Sequence, residues 1–202
     1  MEQRRRVAVF GAGGHGKVVV DAIERNDGLV VACVVDDRPL PGAVLLGHAV
    51  IGGREELLAR RGGIDSAIVA IGDNHARVAV AGWLRAQGFV LQSVVHPAAA
   101  VSPSVSIGGG VLIMPGAVVN ADARIGANAI INSGAVVEHD CDVDEGVHVA
   151  PGAVLCGGVC VGACTLVGAG AVVLPGVKVG AGRLVKAGRT VARNVEQDDE
   201  AD

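Results

Sequence analysis

Residues 111–137 read VLIMPGAVVNADARIGANAIINSGAVV, and a large aliphatic side chain returns at every sixth place: Ile113, Val119, Ile125, Ile131 and Val137. Four places after each stands a small residue: Ala117, Ala123, Ala129, Ala135 and Cys141. Followed in both directions, the large position runs from Val95 to Val191 through seventeen consecutive places, always Val, Ile or Leu and with no insertion. Neither a helix nor an ordinary strand repeats every six residues. One large and one small inward residue per six describes the rung of a parallel β-helix, three rungs of eighteen residues making a triangular coil. Coils stack at about 4.8 Å, so seventeen rungs give somewhat under six coils and a prism about 25–30 Å long. Its sharp corners explain much of the content of 31 glycines, which take left-handed dihedrals cheaply.

Composition agrees. The 202 residues allow one domain or two small ones, and half of them are hydrophobic, enough for a packed core. Only Phe10, Trp83 and Phe89 are aromatic, which suits a narrow repetitive interior. A net charge of −4 leaves no basic footprint for nucleic acid, and Arg4–Arg6 reads as the solvated entrance to a strand. Residues 146–177 lack Asp, Glu, Lys and Arg and are long enough to span a bilayer. Pro151, Pro175, the glycines and the β-branched valines oppose a continuous helix there, and the six-residue period runs through it, so no membrane insertion is expected. No secretory leader opens the chain, since only four apolar residues follow Arg6 before Gly11, and a cytoplasmic protein is expected. Cys156, Cys160 and Cys164 occupy three different rung positions, and no CxxC pair occurs among the five cysteines. Packed, reduced thiols and no metal are expected.

Three segments follow. Residues 1–94 read as an α/β unit, a Rossmann-like half-domain; 95–195 as the β-helix; 196–202 as an acidic tail. In the first, Val7–Phe10, Leu29–Val35, Ala67–Ile71 and Phe89–Val95 are expected strands. Helices are expected near Lys17–Arg25, Arg54–Arg61 and Ala76–Gln87, and the alternation implies a parallel sheet. Gly11-x-Gly13-x-x-Gly16 follows the first strand, with Asp36 beyond it, and formally matches a dinucleotide motif. The unit is shorter than a full dinucleotide-binding domain, and a histidine inside the loop is not needed for NAD. A purely structural tight turn is the other reading. Gly72-Asp73-Asn74 ends the third strand, where a ligand could also lie.

Within the coil stack the histidines are His139 and His148. His139 is third in its rung, facing outward or at a corner, between Glu138 and Asp140. A carboxylate neighbour fixes an imidazole tautomer and raises its basicity, although such a pair can equally be a solvated surface feature. His148 comes nine residues later, half a coil, so the two side chains leave one prism on opposite sides.

A GAGGHG loop in a small nucleotide-binding-like domain, followed by an unbroken hexapeptide β-helix containing Val137-Glu-His-Asp140, resembles the sialic acid O-acetyltransferase-like sugar acyltransferases. The nearest types are the N-acetyltransferases of UDP-4-amino sugars (bacillosamine type) and of GDP-perosamine. The resemblance covers nearly the whole chain and implies a left-handed β-helix, acetyl-CoA as co-substrate and a nucleotide-linked 4-amino-4,6-dideoxy sugar as acceptor. It implies His139 as general base with Asp140 enhancing its basicity, His148 at the acetyl-CoA thioester, and backbone contacts to CoA at Ala169 and Ala187, which are eighteen residues apart. It gives Gly13, Gly14 and His15 to the nucleotide-sugar and Asp36 and Asp37 to its nucleoside end; Asn74, from the strand-end loop, joins this substrate set. It implies a homotrimer, and opposed histidines can serve one thioester only across a subunit boundary. The family ending Val-Gly-Val-Pro-Ala-Lys is replaced by Val185-Lys-Ala-Gly-Arg-Thr190, at the adenine end of CoA. No Ser or Cys stands out as a nucleophile for a covalent intermediate, so direct transfer is expected. O-acetylation of a sialic acid-like sugar and a non-catalytic scaffold are the alternatives. Carbonic anhydrase needs three metal-binding histidines where the repeat supplies two.

Overall fold

The computed structural model describes residues 4–38 and 42–196. The expected acidic tail lies outside the described residues but for Glu196. The chain divides into two compact units between Pro97 and Ala98.

The first unit is built on a three-stranded parallel sheet, order β2-β1-β5, from β1 (Arg5–Phe10), β2 (Leu29–Val35) and β5 (Ser66–Val69). β1 lies in the middle, and Val7, Ala8, Val9 and Phe10 are all buried, as an unbroken apolar run between two partners must be. Helices α1 (Gly14–Glu24), α2 (Arg54–Ala59) and α3 (Asn74–Ala86) flank it, and a two-stranded hairpin, β3 (Val44–Leu45) with β4 (His48–Ala49), follows β2. α1 turns Val19, Val20, Ala22 and Ile23 inward. α3 is capped by Asp73, whose carboxylate accepts from Ala76 N–H at 2.8 Å. All three aromatics of the chain belong to this core, with Phe10 and Trp83 edge to face at 6.1 Å.

One expected strand is corrected. Phe89–Val95 does not join the sheet as a fourth strand: only Leu91 bridges to Ala67. Next to it the Gln92 amide turns onto Ser93 O at 2.7 Å while its Oε1 accepts from Arg5, and Val94–Val95 becomes the first two-residue strand of the hexapeptide series.

That series, β6 (Val94–Val95) to β22 (Thr190–Val191), consists of two-residue strands, each ending on one of the seventeen large positions read from the sequence. Strands eighteen residues apart pair in parallel: Val118 with Val136, Arg124 with Asp142, Ile130 with His148. The result is a left-handed β-helix of about five turns. From Ile113 to Val185 the large position is 2% exposed or less, and Ala117, Ala123, Ala129, Ala135, Ala153 and Ala171 fill the small one without exposure.

From Gly110 to Gly188 each rung turns through one residue at positive φ, glycine at most corners and Asp122, Asn128, Asp140 and Cys164 at the others. Outward, the three sheets differ. One carries Val118, Val136, Val154 and Val172 in a column, another Ser106, Arg124, Asp142, Cys160 and Lys178, the third Leu112, Ile130, His148, Leu166 and Leu184.

Candidate active site

In the first unit a cavity of about 440 Å³ opens at the carboxyl ends of the strands, lined by Gly13, Gly14, His15, Asp36, Asp37 and Arg38 among others. Five of the sequence-predicted substrate residues thus meet there. The sixth, Asn74, is not among the lining residues; it is 8% exposed, and its Oδ1 accepts from Arg77 Nη2 at 2.7 Å. Arg77 is fully buried, donating to the carbonyls of Ile71 and Gly72 and so bracing the loop under the cavity.

The glycine loop divides by role. A Cβ on Gly11 would stand 2.6 Å from Ala70 O, and one on Gly16 would collide with Gly11 O, so Gly11 lets the end of β1 pass the chain leaving β5 and Gly16 lets α1 close on the end of β1. Gly13 and Gly14 are spacious and face the cavity. His15 has Nε2 buried without a hydrogen-bond partner; burial, aided by the nearby Arg77 charge, pushes its pKa down to about 4.

Asp36 does not offer a ligand what the sequence suggested. Its Oδ1 accepts from Arg38 N–H (3.0 Å) and Nε (2.8 Å), and its Oδ2 from Ala12 N–H (2.8 Å) and Arg38 Nη2 (2.7 Å). At 7% exposure it is a saturated structural carboxylate, and the Arg38 guanidinium holds its pKa far below the usual range. Asp37 is more open, with one oxygen accepting from Arg54 Nε at 3.0 Å. Arg38 was not singled out by the sequence, where it reads as an ordinary loop cation.

In the second unit His139 sits at the corner after Val136–Val137, its side chain 63% exposed. Nδ1 lies 2.7 Å from Asp140 Oδ2, so the ring proton belongs on Nδ1 and the Nε2 lone pair is left for other work. The Asp140 hydrogen bond, with the charges of Asp140 and Glu138 behind it, raises the imidazole pKa. Glu138 is held by Asn120, whose amide donates to it at 2.8 Å from the coil below. One coil above, Gly157 supplies the seat of the ring: a Cβ there would stand 2.6 Å from His139 Nε2.

His148 lies on the sheet opposite that corner, as half a coil requires. Asn132 Oδ1 accepts from Ser133 N–H at 2.8 Å, which turns its amide nitrogen to His148 Nε2 at 2.9 Å; the imidazole accepts there and carries its proton on Nδ1. Ala169 and Ala187 are stacked and exposed, with Ala169 O accepting from Gly188 N–H at 2.8 Å. Asn120 and Gly157 went unremarked in the sequence, yet each is eighteen residues from Glu138 or His139, and adding or subtracting one coil finds both.

A hexapeptide prism bearing an outward His–Asp pair, behind an α/β unit with a glycine-lined cavity, is the build of an acyltransferase. The sequence matches the model of the PglD N-terminal domain over residues 6–84 and that of the bacterial transferase hexapeptide repeat over 104–139 and 122–157. A perosamine N-acetyltransferase from Caulobacter crescentus, solved with CoA and GDP-perosamine, is 43% identical, with a TM-score of 0.90 over 94% of this chain and 89% of that one. The acetyltransferase domain of PglB from Neisseria gonorrhoeae, solved with acetyl coenzyme A, is 34% identical with a TM-score of 0.89 over 96% and 94%. WeeI from Acinetobacter baumannii shares the fold at 22% identity and a TM-score of 0.68, covering 93% and 94%. No curated protein sequence matches. The chain belongs to the family of hexapeptide-repeat acetyltransferases with a PglD-type N-terminal domain, and it is an acetyltransferase.

Proposed function

We propose that this enzyme transfers the acetyl group of acetyl-CoA to the amino group of a nucleotide-linked 4-amino-4,6-dideoxy sugar, with His139 as general base. The observation that carries the reading is the His139–Asp140 pair, which fixes the imidazole tautomer and leaves Nε2 unprotonated and outward. The sugar amine attacks the thioester carbonyl, a C–N bond forms, and His139 Nε2 accepts the proton the nitrogen sheds. The C–S bond then breaks, and CoA leaves as a thiolate that takes up a proton. Asp140 stabilises the imidazolium formed in between. Support for the ligands comes from the Caulobacter relative, captured with CoA and GDP-perosamine together in variants lacking one histidine. Acetyl-CoA passes along the stacked Ala169 and Ala187 to His148, and the nucleotide-sugar takes the glycine-lined cavity.

The working form is a homotrimer in which one chain's His139 and a neighbour's His148 face the same thioester, since a single prism turns them apart. Both substrates belong to the cytoplasm, where such an enzyme acts. The test is thiol release from acetyl-CoA against a panel of UDP- and GDP-linked amino sugars. Release with 4-amino sugars, and not with sugars that offer hydroxyls alone, is the expected result. Release only with a sialic acid-like hydroxyl acceptor would replace N- by O-acetylation.

A further inference from the structure

We propose that Arg38 is the phosphoryl clamp of the N-terminal cavity, its outer guanidinium edge taking the diphosphate oxygens of the nucleotide-sugar while Asp36 holds the inner edge. This rests on the nucleotide-sugar reading above and names the side chain that grips the ligand.

A guanidinium has five N–H donors in a fixed plane. Asp36 takes Nε–H at 2.8 Å and one hydrogen of Nη2 at 2.7 Å. That leaves three donors, two on Nη1 and one on Nη2, along the opposite edge. The side chain is 64% exposed even though it is held bidentately, so this edge is both fixed and open. Nη2 stands 3.7 Å from where a Cβ on Gly13 would be, which puts the guanidinium over the spacious part of the glycine loop at the start of α1.

Donors alone, with no acceptor, define the ligand chemistry. The O6/N7 edge of guanine could also take such a fork, but uracil has no such edge, whereas phosphoryl oxygens only accept, carry the charge that a cation prefers and are common to both nucleotides. Asp36 cannot serve as the contact itself, because four donors already fill its two oxygens. It is a positioning residue: it spends the inner edge of Arg38 on rigidity. A lysine could not do both, since its ammonium is a point charge without a second edge.

Calorimetric titration of the full chain with GDP, UDP and acetyl-CoA tests this, using wild type, Arg38→Ala and Arg38→Lys, with a melting curve for each variant. The expected result is that Arg38→Ala weakens GDP and UDP by a similar factor, about 10- to 100-fold. Arg38→Lys should recover only part of that loss, and acetyl-CoA affinity should be unchanged. Undiminished diphosphate binding overturns the clamp. So does a loss confined to one nucleotide, which would make Arg38 a reader of the base, or an equal loss for acetyl-CoA, which would make the CoA diphosphate its ligand. Wild type that binds neither GDP nor UDP overturns the nucleotide-sugar reading and the clamp with it, whereas normal wild-type binding with an unaffected Arg38→Ala removes the clamp alone.

Discussion

Asp140 turns its corner at φ 59°, in a place where ten other rungs use glycine. An aspartate there carries a small backbone cost, and what it delivers is a carboxylate 2.7 Å from the Nδ1 of its neighbour. His139→Ala should therefore lower turnover by about 10²–10⁴ with acetyl-CoA affinity little changed, measured by steady-state kinetics and titration. Asp140→Asn keeps the corner and should cost less. It should also move the pH profile: the base works unprotonated, so kcat/KM rises with pH through a pKa above the ordinary 6.5, and without the carboxylate that rise shifts to lower pH. Gly157→Ala puts a methyl where the His139 ring rests, although Ala121, in the same column one coil below His139, shows that this register accepts alanine. A drop in kcat of about 10- to 100-fold at near-normal melting temperature is expected, the usual cost of a misplaced group.

His15 makes a separate prediction. Its folded pKa of about 4 lies below the unfolded 6.5, so the unfolded chain binds more protons between those values and stability falls as pH drops from 6.5 to 4. Denaturant melts across that range should lose on the order of 2 kcal/mol, and His15→Gln should flatten the slope.

Among the elements, the loop between β1 and α1 separates packing from binding. A bulky residue at Gly13, such as leucine, should weaken nucleotide-sugar binding while melting temperature and acetyl-CoA affinity hold. Alanine at Gly16 should instead destabilise the fold, because its methyl has no space beside Gly11 O. Equal loss of both ligands in the Gly13 variant would mean misfolding. The motif was legible in the sequence, but this division of labour was not: Gly11 and Gly13 are alike in the sequence, and only the approach of Ala70 O to one and open space at the other distinguish them. Phe89–Val95 was misread for a related reason. Its alternation suits a strand, but it keeps only two ladder hydrogen bonds to β5, Ala67 N–H to Val90 O and Gln92 N–H to Ala67 O, before Val94–Val95 enters the hexapeptide series.

At the scale of the whole molecule, the column Val118, Val136, Val154 and Val172 stands half-buried on one face of the prism, a long apolar stripe for a single chain to expose. Trimer formation would cover it and bring opposed histidines together. Sedimentation should give three chains, and inactive His139→Ala and His148→Ala chains, dissociated and reassembled together, should regain part of the activity. A fully active monomer would end the proposal.

The β-helix could be read from the sequence alone because it repeats: every coil has eighteen residues, so a difference in residue number is directly a position in space. Hence seventeen aliphatic positions became seventeen strands, and nine residues between His139 and His148 became opposite sides of a prism. The first unit has no such translation rule. Arg38 bent back on Asp36, Ala12 N–H reaching the same carboxylate from a loop 24 residues earlier, and Asn74 turned toward Arg77 all depend on where loops converge after the sheet has formed. Residue type alone made Asp36 look like the ligand contact. Only the tertiary structure fills its lone pairs and leaves the remaining donors on the cation beside it.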